Sequence, residues 1–139
     1  MKVVVDVNVW ISALLWKGTP RKILQLAQNQ QITIFASDDL FLEFETTLNR
    51  AKFANKITSL GLTLADIIDA TRDIITFCPD TYIDIPELRD AKDNKIIAAA
   101  LSANAEVLIT GDLDLLTLKE FAGILILTPV DFLNAYFPL

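Results

Sequence analysis

Acidic side chains follow two apolar stretches of this sequence. Residues 3–5 are consecutive valines that lead directly into Asp6, and the apolar stretch 107–109 leads through a Thr-Gly pair into Asp112 and Asp114. Such runs are typical of strands that are buried on both faces. An ionised carboxylate beside a buried strand loses hydration at a large cost in free energy unless it has a partner. Two strands that deliver acids at the same end therefore indicate a shared cation.

Further acids lie where helices can present them to this end of the sheet. Glu43 lies just off the apolar stripe of the helix that follows Ser37, and Asp90 and Asp93 are three residues apart at the start of an alanine-rich helix over 91–104. A solvated surface acid is the alternative interpretation for Glu43, and placement at the positive end of the helix is the alternative for the other two. The alanine-rich helix is apolar nearly all round, so we expect its N-terminus to face the interior. We prefer Asp93 to Asp90 as the site residue, because Asp93 adjoins the apolar run more closely.

The absence of histidine restricts the chemistry of any site. The chain has 0 His and 1 Cys, Cys78, which excludes Ser-His-Asp and Cys-His hydrolases, His-dependent ribonucleases, zinc clusters and an internal disulfide. Oxygen-only ligands point instead to Mg²⁺ or Mn²⁺. A reducing, cytoplasmic setting is expected from the cysteine usage.

The elements that must position these acids alternate between strand and helix along the chain. This alternation predicts an α/β fold, with helices on both faces of a central parallel sheet of about 4–5 strands, as a three-layer α/β/α sandwich. At 139 residues, we expect one domain spanning 1–139. The predicted strands are 2–5, 31–36, 74–77, 106–109 and 124–127. The predicted helical segments begin near Val9, at Thr19-Pro20 with Thr19 as N-cap, after Ser37, and at 52–60, 63–72, 91–104, 115–121 and Thr128-Pro129.

The overall composition limits the partners. A hydrophobic fraction of 53% is consistent either with a tightly packed core or with an apolar surface kept for a partner or a second copy. Trp10, Trp16, Phe41 and Phe53 are candidates for that surface. No apolar run approaches the ~20 residues of a membrane helix, and no basic segment with a cleavage site opens the chain, so we expect neither a membrane partner nor a signal peptide. The net charge of −6 argues against a generic basic nucleic-acid surface, but it does not exclude a nuclease whose acids bind metal.

Taken together, the acids and their neighbours resemble the PIN-domain family, in particular the branch of toxins from toxin–antitoxin systems. The resemblance covers residues 2–132 and is carried by Asp6-x-Asn8, by Ser37…Glu43…Leu48-x-Arg50-x-Lys52-Phe53, by Asp90-x-x-Asp93-Asn94-Lys95 and by Thr110-Gly111-Asp112-x-Asp114-Leu115-Leu116. Val7 departs from the pattern, because the family often has Thr or Ser there.

The resemblance implies a metal-dependent ribonuclease, with RNA as its substrate, a small antitoxin protein as a partner, and a homodimer as a candidate assembly. The family's four acids correspond to Asp6, Glu43, Asp93 and Asp112, which would be both catalytic residues and ligands of Mg²⁺ or Mn²⁺, with Asp114 as an additional metal ligand. Candidate substrate-binding residues are Asn8, Thr110, Arg50 and Lys52, and Lys56, Arg89, Lys92 and Lys95 could steer a phosphate backbone.

The same residues allow other interpretations. Asp6 can cap a helix or open a loop, Asn8 can be an ordinary N-cap, and Asp114 can cap a turn at Leu115. The chain could be a non-catalytic module of the same fold that binds RNA or protein. A metal-dependent phosphatase or phosphoacceptor domain with Asp6 as nucleophile is less favoured, since 6–10 lacks the Asp-x-Asp-x-Thr form.

Overall fold

The computed structural model describes residues 1–86, 88 and 91–138, which form alternating strands and helices. The strands are β1 (Lys2–Val5), β2 (Thr33–Ala36), β3 (Thr76–Phe77), β4 (Val107–Ile109), β5 (Glu120–Phe121) and β6 (Ile124–Leu127). The helices are α1 (Val7–Leu15), α2 (Thr19–Gln28), α3 (Asp38–Leu48), α4 (Ala51–Ser59), α5 (Leu64–Ile74), α6 (Ala91–Ser102), α7 (Leu113–Leu116) and α8 (Pro129–Tyr136).

The described strands form one six-stranded sheet in the order β3-β2-β1-β4-β6-β5. Neighbouring strands are parallel except for β5, which pairs antiparallel with β6. From β1 the chain builds outward through β2 and β3, and then returns through α6 to β4 on the other side of β1. The strand order therefore reverses between β1 and β4. Ligands of open α/β sheets bind in the crevice outside the carboxyl ends of the strands at such a switch point.

Both faces of the central strands are covered. Val3 and Val4 are 0% exposed and Val5 is 5% exposed, and β4 is buried throughout. Successive side chains of a strand point to opposite faces, so burial of every residue requires a layer on each side. One of these layers includes α6, which packs against β1, β2 and β4. The predicted α/β/α architecture is confirmed, with a sheet that is one strand wider than expected because of β5.

Several helix starts follow from local side-chain caps that the sequence predicts. Ser37 accepts a hydrogen bond from the backbone N–H of Leu40 at 3.1 Å. Thr63 and Asp66 form a reciprocal capping box at the start of α5, and Thr128 caps α8 by accepting from the N–H of Asp131. These contacts join residues three positions apart, which is why the sequence alone reveals them.

Several of the predicted boundaries are wrong in detail. Helix α1 begins at Val7, two residues earlier than expected, and the N-cap of α2 is Gly18 rather than Thr19. The expected helical turn over 115–121 divides into α7 and the short strand β5, which forms a hairpin with β6 through Ala122 (φ 50°) and Gly123 (φ 85°). Such hairpins usually carry Asn-Gly or Asp-Gly in this left-handed conformation, so Ala122 gave no signal of the turn.

Candidate active site

Asp6 lies at the switch point and is held there by both neighbouring elements. Its backbone N–H donates to the carbonyl of Ile109 at 2.8 Å, which extends the pairing of β1 with β4 by one residue. Its Oδ1 accepts from the N–H of Asn8 at 3.3 Å, so Asp6 is the N-cap of α1. Its Oδ2 accepts from the hydroxyl of Thr110 at 2.6 Å. Asp6 is therefore a helix cap, as one interpretation of the sequence has it, whereas Asn8 is not. Capping uses one oxygen of Asp6 and leaves the other bonded to Thr110, the residue after β4.

Thr110 connects the two strand ends through its hydroxyl. The side chain is 0% exposed; its Oγ1 donates to Asp6 and accepts from the backbone N–H of Asp112 at 3.0 Å. The prediction that Thr110 contacts substrate finds no support in an exposed surface, because the side chain is fully buried. Its position instead sets the orientation of two acids.

Asp112, Asp114 and Asp93 bring their carboxylates together from two elements. Asp112 is the N-cap of α7, with its Oδ1 accepting from the N–H of Asp114 at 2.9 Å, so Asp112 and not Asp114 caps this turn. Asp93, in the first turn of α6, is 5% exposed. One carboxylate oxygen from each of the three lies within 4.8 Å of the others. Two oxygens bound to one Mg²⁺ are about 3 to 4 Å apart, so this donor set fits a hard divalent cation after small side-chain adjustments.

A cavity of about 480 Å³ opens at this point of the fold. Its lining includes Asp6, Glu43, Asp93 and Asp112, the four acids singled out from the sequence. Glu43 reaches it from α3, because Leu40, Phe44 and Leu48 bury the adjoining stripe of that helix in the core and Glu43 lies just off it. Four acids from four different elements thus surround one space.

The acids influence one another electrostatically. Burial raises the pKa of the Asp6 carboxyl above its ordinary value, and the negative charge of Asp112 raises it further. The hydrogen bonds from Thr110 and Asn8 oppose this shift by stabilising the ionised form. A cation placed among these groups would relieve both the desolvation and the repulsion, which is the electrostatic condition for a metal site.

The remaining residues expected at the site differ in their placement. Asn8 and Arg50 line the cavity, as does Lys92. Among the described residues Lys52 does not line it; its ammonium lies 5.0 Å from the ring centre of Phe53 instead. Asp114 is exposed at the side of the cavity, near Asp93 and Asp112. The predictions for Asp90 and Arg89 fall outside the described residues.

Two hydroxyl residues in the lining were missed by the sequence analysis. Ser12 lies four residues after Asn8 on α1, and Thr47 lies four residues after Glu43 on α3. Residues four apart share one face of a helix, so this spacing was the available signal. Applied to Asn8 and Glu43, this spacing would have predicted Ser12 and Thr47 as further site residues, one helical turn beyond each.

Comparison with known proteins agrees with this fold. The family model described as PIN domain matches residues 2–114. An uncharacterised protein of Methanocaldococcus jannaschii is 31% identical over 121 residues, which cover 86% of this chain and 76% of that protein. The crystal structure of VapBC2 from Rickettsia felis bound to a DNA fragment from its promoter contains a chain that matches with a TM-score of 0.61 at 14% identity, covering 91% of this chain and 97% of that one.

Among the residues that the structure describes, no helix combines the length and apolar character needed to cross a membrane.

Proposed function

This chain belongs to the PIN-domain family, and from that premise we propose that it is a ribonuclease that hydrolyses RNA phosphodiester bonds with Mg²⁺ or Mn²⁺. The observation that carries the proposal is the convergence of Asp6, Glu43, Asp93 and Asp112 on one cavity at the switch point of the sheet. The proposed metal ligands are these four acids together with Asp114. Oxygen donors alone, with no histidine in the chain, match the preference of these two ions.

When bound, such an ion supplies Lewis-acid activation of the phosphodiester and of an attacking water. The chain's own contribution is to hold and orient the groups around it. Thr110 fixes the Asp6 carboxylate and the backbone of Asp112 with one hydroxyl. Arg50 and Lys92, which share the cavity lining with the acids, carry the positive charge that attracts a phosphate backbone. Asn8 lies exposed in the same lining and is proposed to contact the substrate.

We further propose that the domain, spanning 1–139, acts as the toxin of a toxin–antitoxin pair in the cytoplasm, where it meets RNA. The toxin branch of the family is the one that the sequence motifs resemble, and the structural neighbour from Rickettsia felis is a VapBC2 complex. A small antitoxin protein is then the expected partner, and a homodimer the candidate assembly. Growth arrest on expression, relieved by co-expression of an adjacent small gene, is the test of this role.

The nuclease proposal is tested by cleavage of a mixed panel of RNAs in Mg²⁺, Mn²⁺ or EDTA. Asp6→Asn, Glu43→Gln and Asp93→Asn should each abolish metal-dependent cleavage while the proteins remain folded. Glu45→Gln is the matched control, because Glu45 lies on the same helix and is not among the described residues that line the cavity. Cleavage that persists in EDTA, or that survives in folded Asp6→Asn and Asp93→Asn proteins, would sink the assignment. A wild type that binds RNA without cleaving it would favour the non-catalytic module.

A further inference from the structure

The two tryptophans of this chain lie in different environments, although both are on or next to α1. Trp10 is 5% exposed and its indole N–H donates to the hydroxyl of Thr71 at 3.1 Å, so it belongs to the core. Trp16, at the end of the helix, is 42% exposed. Its ring meets that of Phe53 edge-on, with 6.2 Å between ring centres. A large aromatic ring that is nearly half exposed is available for stacking.

Positive charge accompanies this exposed ring. The ammonium of Lys56 lies 5.7 Å from the centre of the Trp16 ring, and that of Lys52 lies 5.0 Å from the centre of the Phe53 ring. We call Trp16, Phe53, Lys52 and Lys56 the Trp16 platform. Proteins bind single-stranded nucleic acid with aromatic rings that have cations close by, because every base offers a π-face and every nucleotide a phosphate.

Charge segregation along the sequence points to the same occupant. The net charge is −6, yet residues 7–37 and 46–65 contain no Asp or Glu. These two acid-free segments hold half of the 12 Lys and Arg residues, namely Lys17, Arg21, Lys22, Arg50, Lys52 and Lys56. The contacts of Trp16 with Phe53 and Lys56 join the two segments in space. These two segments therefore contribute positive and no negative side chains to the surface around Trp16, which favours a polyanion there.

The Trp16 platform adjoins the acidic cavity. The backbone N–H of Trp16 donates to the carbonyl of Ser12 at 3.0 Å, and that of Phe53 to the carbonyl of Arg50 at 3.1 Å. Ser12 and Arg50 both line the cavity. Trp16 and Phe53 are thus each about one helical turn, or ~5.4 Å of rise, beyond a cavity residue. A strand whose phosphate sits among the acids would reach the platform within a few nucleotides.

We infer that the Trp16 platform is a subsite for single-stranded RNA, in which an unpaired base stacks on Trp16 while Lys52 and Lys56 hold the adjoining phosphates. The inference rests on the proposed ribonuclease function, because it assumes that the scissile phosphate lies in the acidic cavity. It deepens that proposal by assigning the Trp16 platform as the place where the RNA beside the cavity is held.

Binding can be measured apart from cleavage. A fluorescein-labelled single-stranded oligoribonucleotide is titrated with the full chain in EDTA, and anisotropy gives the Kd. Trp16→Ala should weaken binding at least about fivefold through loss of stacking. Trp16→Phe should retain most of the affinity but lose the quenching of tryptophan emission that RNA causes in the wild type, since Trp10 then remains as the only, buried, tryptophan. Lys56→Gln should reduce the slope of log K against log salt by about 0.7 for the lost phosphate contact.

Lys2→Gln is the matched control. Lys2 also lies over an aromatic ring, with its ammonium 5.9 Å from the centre of Phe35, but at the amino end of β1, opposite to Asp6. This variant should leave Kd and salt slope unchanged. The inference is overturned if the folded Trp16→Ala and Lys56→Gln proteins bind the single strand as the wild type does, if Lys2→Gln weakens binding equally, or if a duplex of the same sequence binds more tightly than the single strand. Equal binding of the matching oligodeoxynucleotide would support stacking and phosphate contacts as its basis.

Failure of this inference is distinguishable from failure of the nuclease proposal. Wild-type protein that binds the strand with quenching but cleaves no RNA in Mg²⁺ or Mn²⁺ supports the Trp16 platform and refutes the nuclease. Wild-type protein that cleaves RNA, with the same kcat/KM in Trp16→Ala and Lys56→Gln, refutes the platform alone.

Discussion

Substitution of Thr110 by valine removes one hydroxyl from the centre of the site while almost preserving side-chain volume. This hydroxyl donates to Oδ2 of Asp6 at 2.6 Å and accepts from the N–H of Asp112 at 3.0 Å. Thr110 is 0% exposed, so water cannot readily take over either bond. The variant should therefore lose stability, metal affinity and activity together, because the hydroxyl positions two of the acids.

The size of the effect follows from the two bonds. A hydrogen bond to a charged group contributes about 1.5 to 3 kcal/mol and a neutral one about 1 kcal/mol. Loss of both predicts a decrease of roughly 2 to 4 kcal/mol in the free energy of unfolding at neutral pH. Groups that orient metal ligands affect metal affinity or activity by about 10- to 100-fold, and we expect Thr110→Val to fall in that range.

The effect on stability should depend on pH. The hydrogen bond from Thr110 stabilises the ionised form of Asp6, so its removal raises the pKa of that carboxyl further. As the pH falls through the raised pKa of Asp6, the carboxyl becomes neutral in both proteins and the bond loses its charge-assisted part. The difference in unfolding free energy between wild type and Thr110→Val should therefore shrink in acid.

Urea unfolding at several pH values, with calorimetric titration of Mn²⁺, checks these expectations. Thr110→Ser is the control, because it keeps the hydroxyl and loses only a methyl group, at about 1 kcal/mol. It should retain metal affinity and cleavage. If Thr110→Val binds Mn²⁺ and cleaves RNA as well as Thr110→Ser does, then the Thr110 hydroxyl does not position Asp6 and Asp112 for metal binding, and the reasoning is refuted.

Three further outcomes are expected. Because burial raises the pKa of Asp6, the folded state binds the Asp6 proton more tightly than the unfolded state does, and ionisation of Asp6 costs stability as the pH rises above its ordinary pKa of about 3.9. Metal-free Asp6→Asn should thus unfold at a higher urea concentration than wild type at pH 7, and this advantage should disappear in acid. No gain in stability at pH 7 would contradict the burial argument. A 100-fold excess of Mg²⁺ or Mn²⁺ over its Kd should add about 2.7 kcal/mol to stability, seen as a rise in melting temperature that Asp93→Asn abolishes and Glu45→Gln keeps. Trp10→Phe should cost about 1 to 3 kcal/mol in thermal or urea unfolding, because it leaves the buried hydroxyl of Thr71 without its donor, yet it should leave RNA affinity unchanged, unlike Trp16→Ala.

Much of the fold could be predicted because its signals are local. The valine run of β1, the Ser37 and Thr128 caps and the capping box at Thr63 all depend on residues within four positions of one another. The strand β5 had no such signal, since its two residues are defined by pairing with β6 through a turn that begins at Ala122. Helix α1 begins at Val7 because Asp6 caps it, and an acid after a strand does not reveal which of its possible roles it takes.

The amino-acid sequence by itself limited the chemistry that this protein can carry: the absence of histidine excludes histidine-dependent catalysis, and acids placed after buried strands are compatible with the proposed metal site. Only the tertiary structure decided which side chains share that site and how each is used. Asp6 and Asp112 are brought together by the pairing of β1 with β4, and Glu43 and Asp93 by helices that pack around the switch point. The burial of Thr110 made it a support for the acids, and packing placed Trp10 in the core and Trp16 at the surface. These outcomes depend on contacts between residues far apart in the chain, which no local pattern encodes.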